Sequence, residues 1–312
     1  MMLSKKLTCD IPKLYVVTPI INPFRYQSRY RLYRDFEKRV NDAGAVLYTV
    51  EVAYGNRPFE VTSSCDPTDV QLRTTSELWH KENAINVGIG RLPTDWEYVA
   101  WIDADIAFAR PDWVSETLHL LQHYDFVQMF SLAQDLNPHN EVFQNHKGFV
   151  YSYHNNLKYK TGYSDWHPGF CWAARRSALD HVGQLIDYAI LGAADRHMAF
   201  GLIGKMEATI LQDLKNGAYA QELRLWEARA TRHIKKNIGY MDGTILHYWH
   251  GAKKNRRYQE RWKILVNNRY DPDLDLKRDS NFLYQLTDHN INLRDDLRNY
   301  FRARNEDCIY FE

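Results

Sequence analysis

The sequence predicts an α/β protein with a largely parallel central sheet, and three observations carry that expectation. Short β-branched runs alternate with segments of helical period through the amino-terminal third. The 312 residues are 45% hydrophobic and 14% aromatic, enough for a substantial core. No repeat, low-complexity stretch or linker interrupts the chain.

From the amino terminus, Leu14 to Thr18 (LYVVT) is a strand closed by Pro19, with a loop running through Pro23. Tyr30 to Asp42 (YRLYRDFEKRVND) carries Leu32, Phe36 and Val40 on one helical face, and Gly44 stops it. Ala45 to Ala53 is a second strand, and segment 54–76 is polar and turn-rich, a loop long enough to be functional. Ser76 supplies an N-cap for a helix to Gly88, which leads into the apolar run Tyr98 to Ile102. The second half holds aromatic and His-rich loops (Phe143 to Pro168), a helix near Gln221 to Lys236 and the strand-like GYMDGTILHYWHG. The charged tail, Asp271 to Glu312, is expected to be helical, a carboxy-terminal extension (271–312) to a domain spanning 12–270.

Composition excludes some function classes. Lys plus Arg is 40 against 39 for Asp plus Glu, so the net charge of +1 gives no bulk pull toward nucleic acid or membrane. Cys9, Cys65, Cys171 and Cys308 lack paired spacing and read as reduced thiols, not as disulfides or a zinc site. MMLSKKLTCDIPK has no apolar signal-peptide core, and no apolar run approaches the ~20 residues of a membrane span. A soluble, cytoplasmic protein is expected.

The chemistry gathers at EYVAWIDADIAF, where Asp103 and Asp105 close an apolar strand. Two such carboxylates raise each other's pKa unless a cation or several donors offset the repulsion. A simple turn would also place Asp there. In open parallel sheets, however, ligands bind beyond the carboxyl ends of the strands, where this pair falls.

Four segments, in order and covering roughly residues 12–265, resemble GT-A-fold glycosyltransferases of the β-1,4-galactosyltransferase-like and family-2-like groups. NPFRYQSRYRLYRDF resembles the PFR segment after their first strand. LWHKENAINVG resembles their helix with an xNVGF-like ending, directly before a strand ending in DxD. GFCWAARRSALDHVGQLIDYAILGAADRHMA resembles their acceptor segment, which ends in GEDxD. GTILHYWHGAKKN resembles the late strand that supplies a metal-binding His.

The resemblance implies a Rossmann-like nucleotide-binding fold and metal-dependent transfer of a sugar from a nucleotide-diphosphate sugar to a hydroxyl, with inversion. It implies Mn2+ or Mg2+ coordinated by Asp105, with Asp103 meeting the ribose or a water on the metal. His247 would be a further ligand. His250 is the rival: three residues apart on a strand, the two would face opposite ways. Pro23, Arg25, Tyr54, Lys81 and Lys253 are expected on the donor side, Tyr54 stacking on the base. The run Lys253, Lys254, Arg256 and Arg257 would close on the diphosphate. Asp195 stands at the general base, but Ala194 replaces the Glu of GEDxD and His197 its second acid, so His197 is a second candidate. Trp166, His167 and Trp172 would border the acceptor.

Plainer readings stand beside these. Asp195 would cap a helix, Arg25 would form a surface salt bridge and Trp172 would pack the core. The basic run would be a solvated helix face or, with Trp249, Tyr258 and Trp262, a nucleic-acid phosphate contact. Among functions, a nucleotidyltransferase would need a Gly-rich phosphate loop, which TPIINPFRYQ is not. A catalytically silent sugar- or nucleic-acid-binding protein is the other alternative. The donor sugar stays open, as does the acceptor: a glycan, a small molecule or a hydroxymethylated nucleic-acid base.

Overall fold

A computed structural model describes residues 12–159, 166–258 and 260–309; Cys9 lies outside them. Strands β1 (Leu14–Ile21), β2 (Val46–Tyr54), β3 (Asp69–Thr74) and β4 (Tyr98–Ile102) are parallel and lie in the order β4-β1-β2-β3. Helix α1 (Gln27–Asp42) joins β1 to β2, and α2 (Lys81–Ile89) precedes β4. Then come β5 (Ile106–Phe108), α3 (Trp113–Leu120), β6 (Phe126–Gln128), β7 (Leu132–Leu136), β8 (Val142–Lys147) and α4 (Phe149–His154). Beyond these lie β9 (Cys171–Arg175), α5 (Arg176–Val182), α6 (Ala194–Leu202), α7 (Ala218–His233), β10 (Ile238–Tyr240) and β11 (Thr244–His247). The last elements are α8 (Trp262–Asn267), α9 (Pro272–Asp275), β12 (Leu276–Arg278), β13 (Tyr284–Leu286) and α10 (Ile291–Arg302).

The central sheet has the order β10-β6-β9-β4-β1-β2-β3, with β9 antiparallel to both neighbours. A second sheet, β5-β11-β7-β8, stands at the carboxyl end of β4. The expected α/β architecture is therefore present. Apolar clusters fill both faces of the central sheet, one around Val17, Val50, Val99 and Trp172, the other around Val16, Tyr33, Ala100 and Phe130. The glycine of NVG has a packing reason. A Cβ on Gly88 would stand 2.6 Å from Val17 and 2.7 Å from Val50, so α2 can lie this close to the sheet only with glycine there.

Three expectations change. Residues 69–74, read as loop, form the edge strand β3: Val70, Leu72 and Thr74 are buried while Arg73 is exposed, a half-buried alternation masked by polar residues. The loop before it is pinned by the buried Glu51 carboxylate, which accepts the backbone N–H groups of Glu60, Val61 and Thr62 at 2.7–3.1 Å. Helix α2 starts at Lys81 rather than Ser76. The tail is not continuously helical: between α9 and α10 it forms the β12–β13 pair, turned by Asp279, whose carboxylate accepts the N–H groups of Asn281 and Leu283. Leu293, Leu297, Tyr300 and Phe301 of α10 join the same core as the central sheet.

The carboxy-terminal segment also finishes the amino-terminal helix. Helix α1 has no side-chain cap from its own flank; the Asp307 carboxylate accepts the N–H groups of Gln27 and Ser28, each at 2.8 Å. Among the described residues, no helix is long and apolar enough to cross a membrane.

Candidate active site

Strand β4 ends at Ile102, and the turn Asp103-Ala104-Asp105 leads into β5. The Asp103 N–H donates to the Phe170 carbonyl at 2.9 Å, and the Asp105 carbonyl accepts from the Tyr248 N–H at 2.8 Å. Register does the rest. Strand β11 lies between β5 and β7, placing His247 opposite Ile106 on one side and Asp135 on the other. Three strands thus converge on the end of β4.

Asp105, His247 and His250 offer ligand atoms that all lie within 4.8 Å of one another. Asp105 Oδ2 is 3.1 Å from His250 Nε2, and Oδ1 is 3.8 Å from His247 Nε2. The two Nε2 atoms are 3.1 Å apart. The expectation that the two histidines face opposite ways is overturned, because β11 ends at His247. Beyond that point the chain leaves strand geometry, and His250 comes back onto the same site before the chain turns away at Gly251 (φ 91°). These residues fit a divalent cation. Among the described residues, Asp105 Oδ1 is buried without a hydrogen-bond partner, a costly arrangement for a carboxylate that a cation would relieve. Burial, then Arg256, holds the His250 imidazole well below its ordinary pKa, in the neutral form that binds metal. Two imidazoles and one carboxylate suit a first-row divalent ion.

The sequence reading missed Asp135, the orienting partner. Its Oδ1 lies 2.6 Å from His247 Nδ1, leaving Nε2 for a ligand, and its Oδ2 lies 2.7 Å from His146 Nε2 and against Lys253 Nζ. Burial alone would raise the Asp135 carboxyl, but hydrogen bonds from His146 and His247 hold it well below the carboxylate range. Asp103 stands outside the cluster, its Oδ1 2.5 Å from Lys81 Nζ. Burial raises the Asp103 carboxyl; Lys81 opposes this and Asp105 reinforces it.

The cluster opens into a cavity of about 740 Å³. Pro23, Lys81, Lys253, Arg256, Trp166, His167 and Asp195 border it, as do Arg29 and Arg304, which the sequence reading passed over as donor-side residues. Arg256 Nη2 sits 2.8 Å from His250 Nε2. Of the basic run, Lys253 and Arg256 therefore face the site.

Asp195 is the second residue of α6; the cap position belongs to Ala193, in the left-handed region at φ 72°. The capping explanation thus fails. The carboxylate accepts the Arg196 N–H at 2.7 Å and leans on Gly169, where a Cβ would come within 2.7 Å of Oδ2. His167 stacks on Phe170 (centroids 4.2 Å apart), and Trp166 stands edge-on to Phe149.

Other candidates are not brought to the cavity. His197 is buried between Thr209 (2.6 Å) and Tyr219 (2.9 Å), and burial lowers its imidazole to about 3, so it is a core residue and no base. Trp172 is buried in the sheet with Nε1 donating to the Pro168 carbonyl at 2.7 Å. Arg25 pairs with Glu60 at the surface, as the plainer reading had it. With the buried Tyr54 it borders a separate void of about 10 Å³, which shares only Ile20 and Asn22 with the main cavity; the Tyr54 ring stands edge-on to His80, centroids 6.5 Å apart.

Glu82 is a further residue missed. It lies in the first turn of α2, buried, and borders the cavity beside Lys81 and Asp195. Burial raises its carboxyl, Lys81 opposes and Asp195 adds, and the group is pushed up to about 8. Its folded pKa thus exceeds the unfolded value of 4.5. The stability it contributes is complete below the unfolded value and is lost as pH rises through the folded one. Between about pH 5 and 8 it should cost up to about 1.4 kcal/mol per pH unit. Glu82→Gln is expected to flatten the fall in melting temperature over that window; parallel curves for parent and variant would refute the shift.

No protein-family model matches the chain, and no curated protein matches it by sequence. Solved structures do resemble it. One is a Drosophila β-1,4-galactosyltransferase 7 mutant with manganese, UDP-Gal and xylobiose: 10% identity, 92% of this chain and 99% of that one covered, TM-score 0.39. Another is Staphylococcus aureus TarS with UDP-GlcNAc: 12% identity, 84% and 74% covered, TM-score 0.40. A third is mannosyl-3-phosphoglycerate synthase from Rubrobacter xylanophilus: 11% identity, 89% and 85% covered, TM-score 0.39. Likenesses at this level leave the function to be read from the residues themselves.

Proposed function

We propose that this chain is a GT-A-fold, metal-dependent glycosyltransferase that moves a sugar from a nucleotide-diphosphate sugar to an acceptor hydroxyl with inversion. One observation carries the reading: a buried Asp105 oxygen without a partner, two converging imidazoles and a row of cations open into one large cavity with Asp195 on its wall. A divalent cation, Mn2+ or Mg2+, on Asp105, His247 and His250 would neutralise charge on the departing diphosphate.

The chain's own residues account for the rest. Asp135 fixes the His247 ring, and Arg29, Arg256 and Lys253 hold the diphosphate. Asp103, anchored by Lys81, offers its other oxygen to the ribose. Trp166 and His167 give the acceptor a planar wall. Asp195 takes the acceptor proton as the hydroxyl oxygen bonds to the anomeric carbon, and the bond from that carbon to the phosphate oxygen breaks with its electron pair on the diphosphate.

The test is release of nucleotide from UDP-, GDP- and CDP-linked sugars with Mn2+ present. At least one donor is expected to turn over, with loss in excess chelator and recovery on adding Mn2+. Turnover indifferent to chelator would remove the metal role. Binding without turnover of any donor would favour the silent binding protein, and formation of nucleoside triphosphate and sugar 1-phosphate on adding pyrophosphate, instead of nucleoside diphosphate, a nucleotidyltransferase.

A further inference from the structure

The wall of the cavity next to the proposed metal site carries three guanidinium groups, those of Arg29, Arg256 and Arg304. Into their midst the carboxy-terminal segment delivers one carboxylate, Glu306, only 4% exposed. It is ion-paired with Arg29 and lies 2.8 Å from Arg304 Nε, and its Oε2 is 3.9 Å from His250 Nδ1. The segment is built in tightly: a Cβ on Gly251 would come within 2.8 Å of Glu306 Cα, and Trp249 Nε1 donates to the Cys308 carbonyl at 2.7 Å. Burial would raise the Glu306 carboxyl, but Arg29 and Arg304 lower it to about 2, so the charge is permanent at neutral pH.

That charge has an electrostatic consequence for what the cavity accepts. Three arginines alone would attract any polyphosphate and repel a cation arriving at His250. One fixed negative charge among them reduces both effects, since at a few ångströms in a partly buried site a unit charge changes interaction energies by kcal/mol. We propose that Glu306 is a specificity-determining residue of the donor site, tuning the arginine wall to take a diphosphate together with its cation rather than the bare anion. The proposal rests on the donor-site reading above.

Two probes measured separately test it: Mn2+ alone, by the loss of its free electron-paramagnetic signal, and inorganic pyrophosphate alone in chelator, by calorimetry. Glu306→Gln keeps the shape and removes the charge. It is expected to weaken Mn2+ by about tenfold and to tighten metal-free pyrophosphate by about tenfold. A purely structural role would weaken both together, and that result, or no change in either beyond about twofold, overturns the proposal. The double variant Arg304→Gln/Glu306→Gln restores the charge count. It should bring both affinities back toward the parent's, and it carries the test if the single variant does not fold. A double variant weaker for both probes would also overturn the proposal. Failure of the donor-site reading would look different: the parent chain itself would bind neither probe, and the proposal would fall with it.

Discussion

Asp105→Asn is expected to bind Mn2+ at least about a hundredfold more weakly than the parent chain, roughly 2.7 kcal/mol, and to release no nucleotide above the chelated parent. The amide removes the carboxylate of the cluster and leaves its two imidazoles. The fold should survive. The Asp105 carbonyl in the turn still accepts from the Tyr248 N–H. The side chain gives up a buried charge whose Oδ1 had no partner, so the metal-free variant should melt close to the parent. Unchanged Mn2+ binding would dismiss Asp105 as a ligand, and with it the reason for two aspartates at the end of an apolar strand.

The second large effect belongs to Asp195→Asn. A base within hydrogen-bond reach of the attacking hydroxyl contributes ~10²–10⁴ in rate, and turnover should fall by that order. Donor affinity and melting temperature should barely move. The carboxylate does not cap α6; its bond with the fold is the 2.7 Å contact from the Arg196 N–H, which an Asn oxygen can accept equally well. The product anomer should be inverted relative to the donor. Near-normal turnover, or a retained anomer, would strip Asp195 of the role. His197 could not inherit it, being enclosed by Thr209 and Tyr219.

What the sequence made legible follows the range of the interactions. The strands LYVVT and YVAWI, the helix after PFR and the position of Asp103 and Asp105 at a strand end are local patterns, and the structure has them. The strand β3 was hidden because an edge strand buries one face only, and its polar alternation resembles a turn-rich loop. The histidines misled for a local reason: strand alternation was extended three residues past the point where β11 stops. Asp135, Glu82 and Glu306 were beyond reach because their roles exist only across the fold. Asp135 meets His247 from 112 residues away, and Arg29 meets Glu306 across 277. Arg25, just before α1, and Arg29, in its first turn, stand four residues apart, yet only the second faces the cavity.

The Asp307 contact with the start of α1 bears on how the protein is made. Helix α1 is translated 280 residues before the carboxylate that closes its first turn. Contacts of such long sequence separation form late, because a large loop must close before they repay its entropy. The same segment brings Glu306 to Arg29 and a carbonyl to Trp249. Until residues 304–308 have left the ribosome, the chain can hold a nearly complete sheet and still lack the carboxylate that sits among the three arginines.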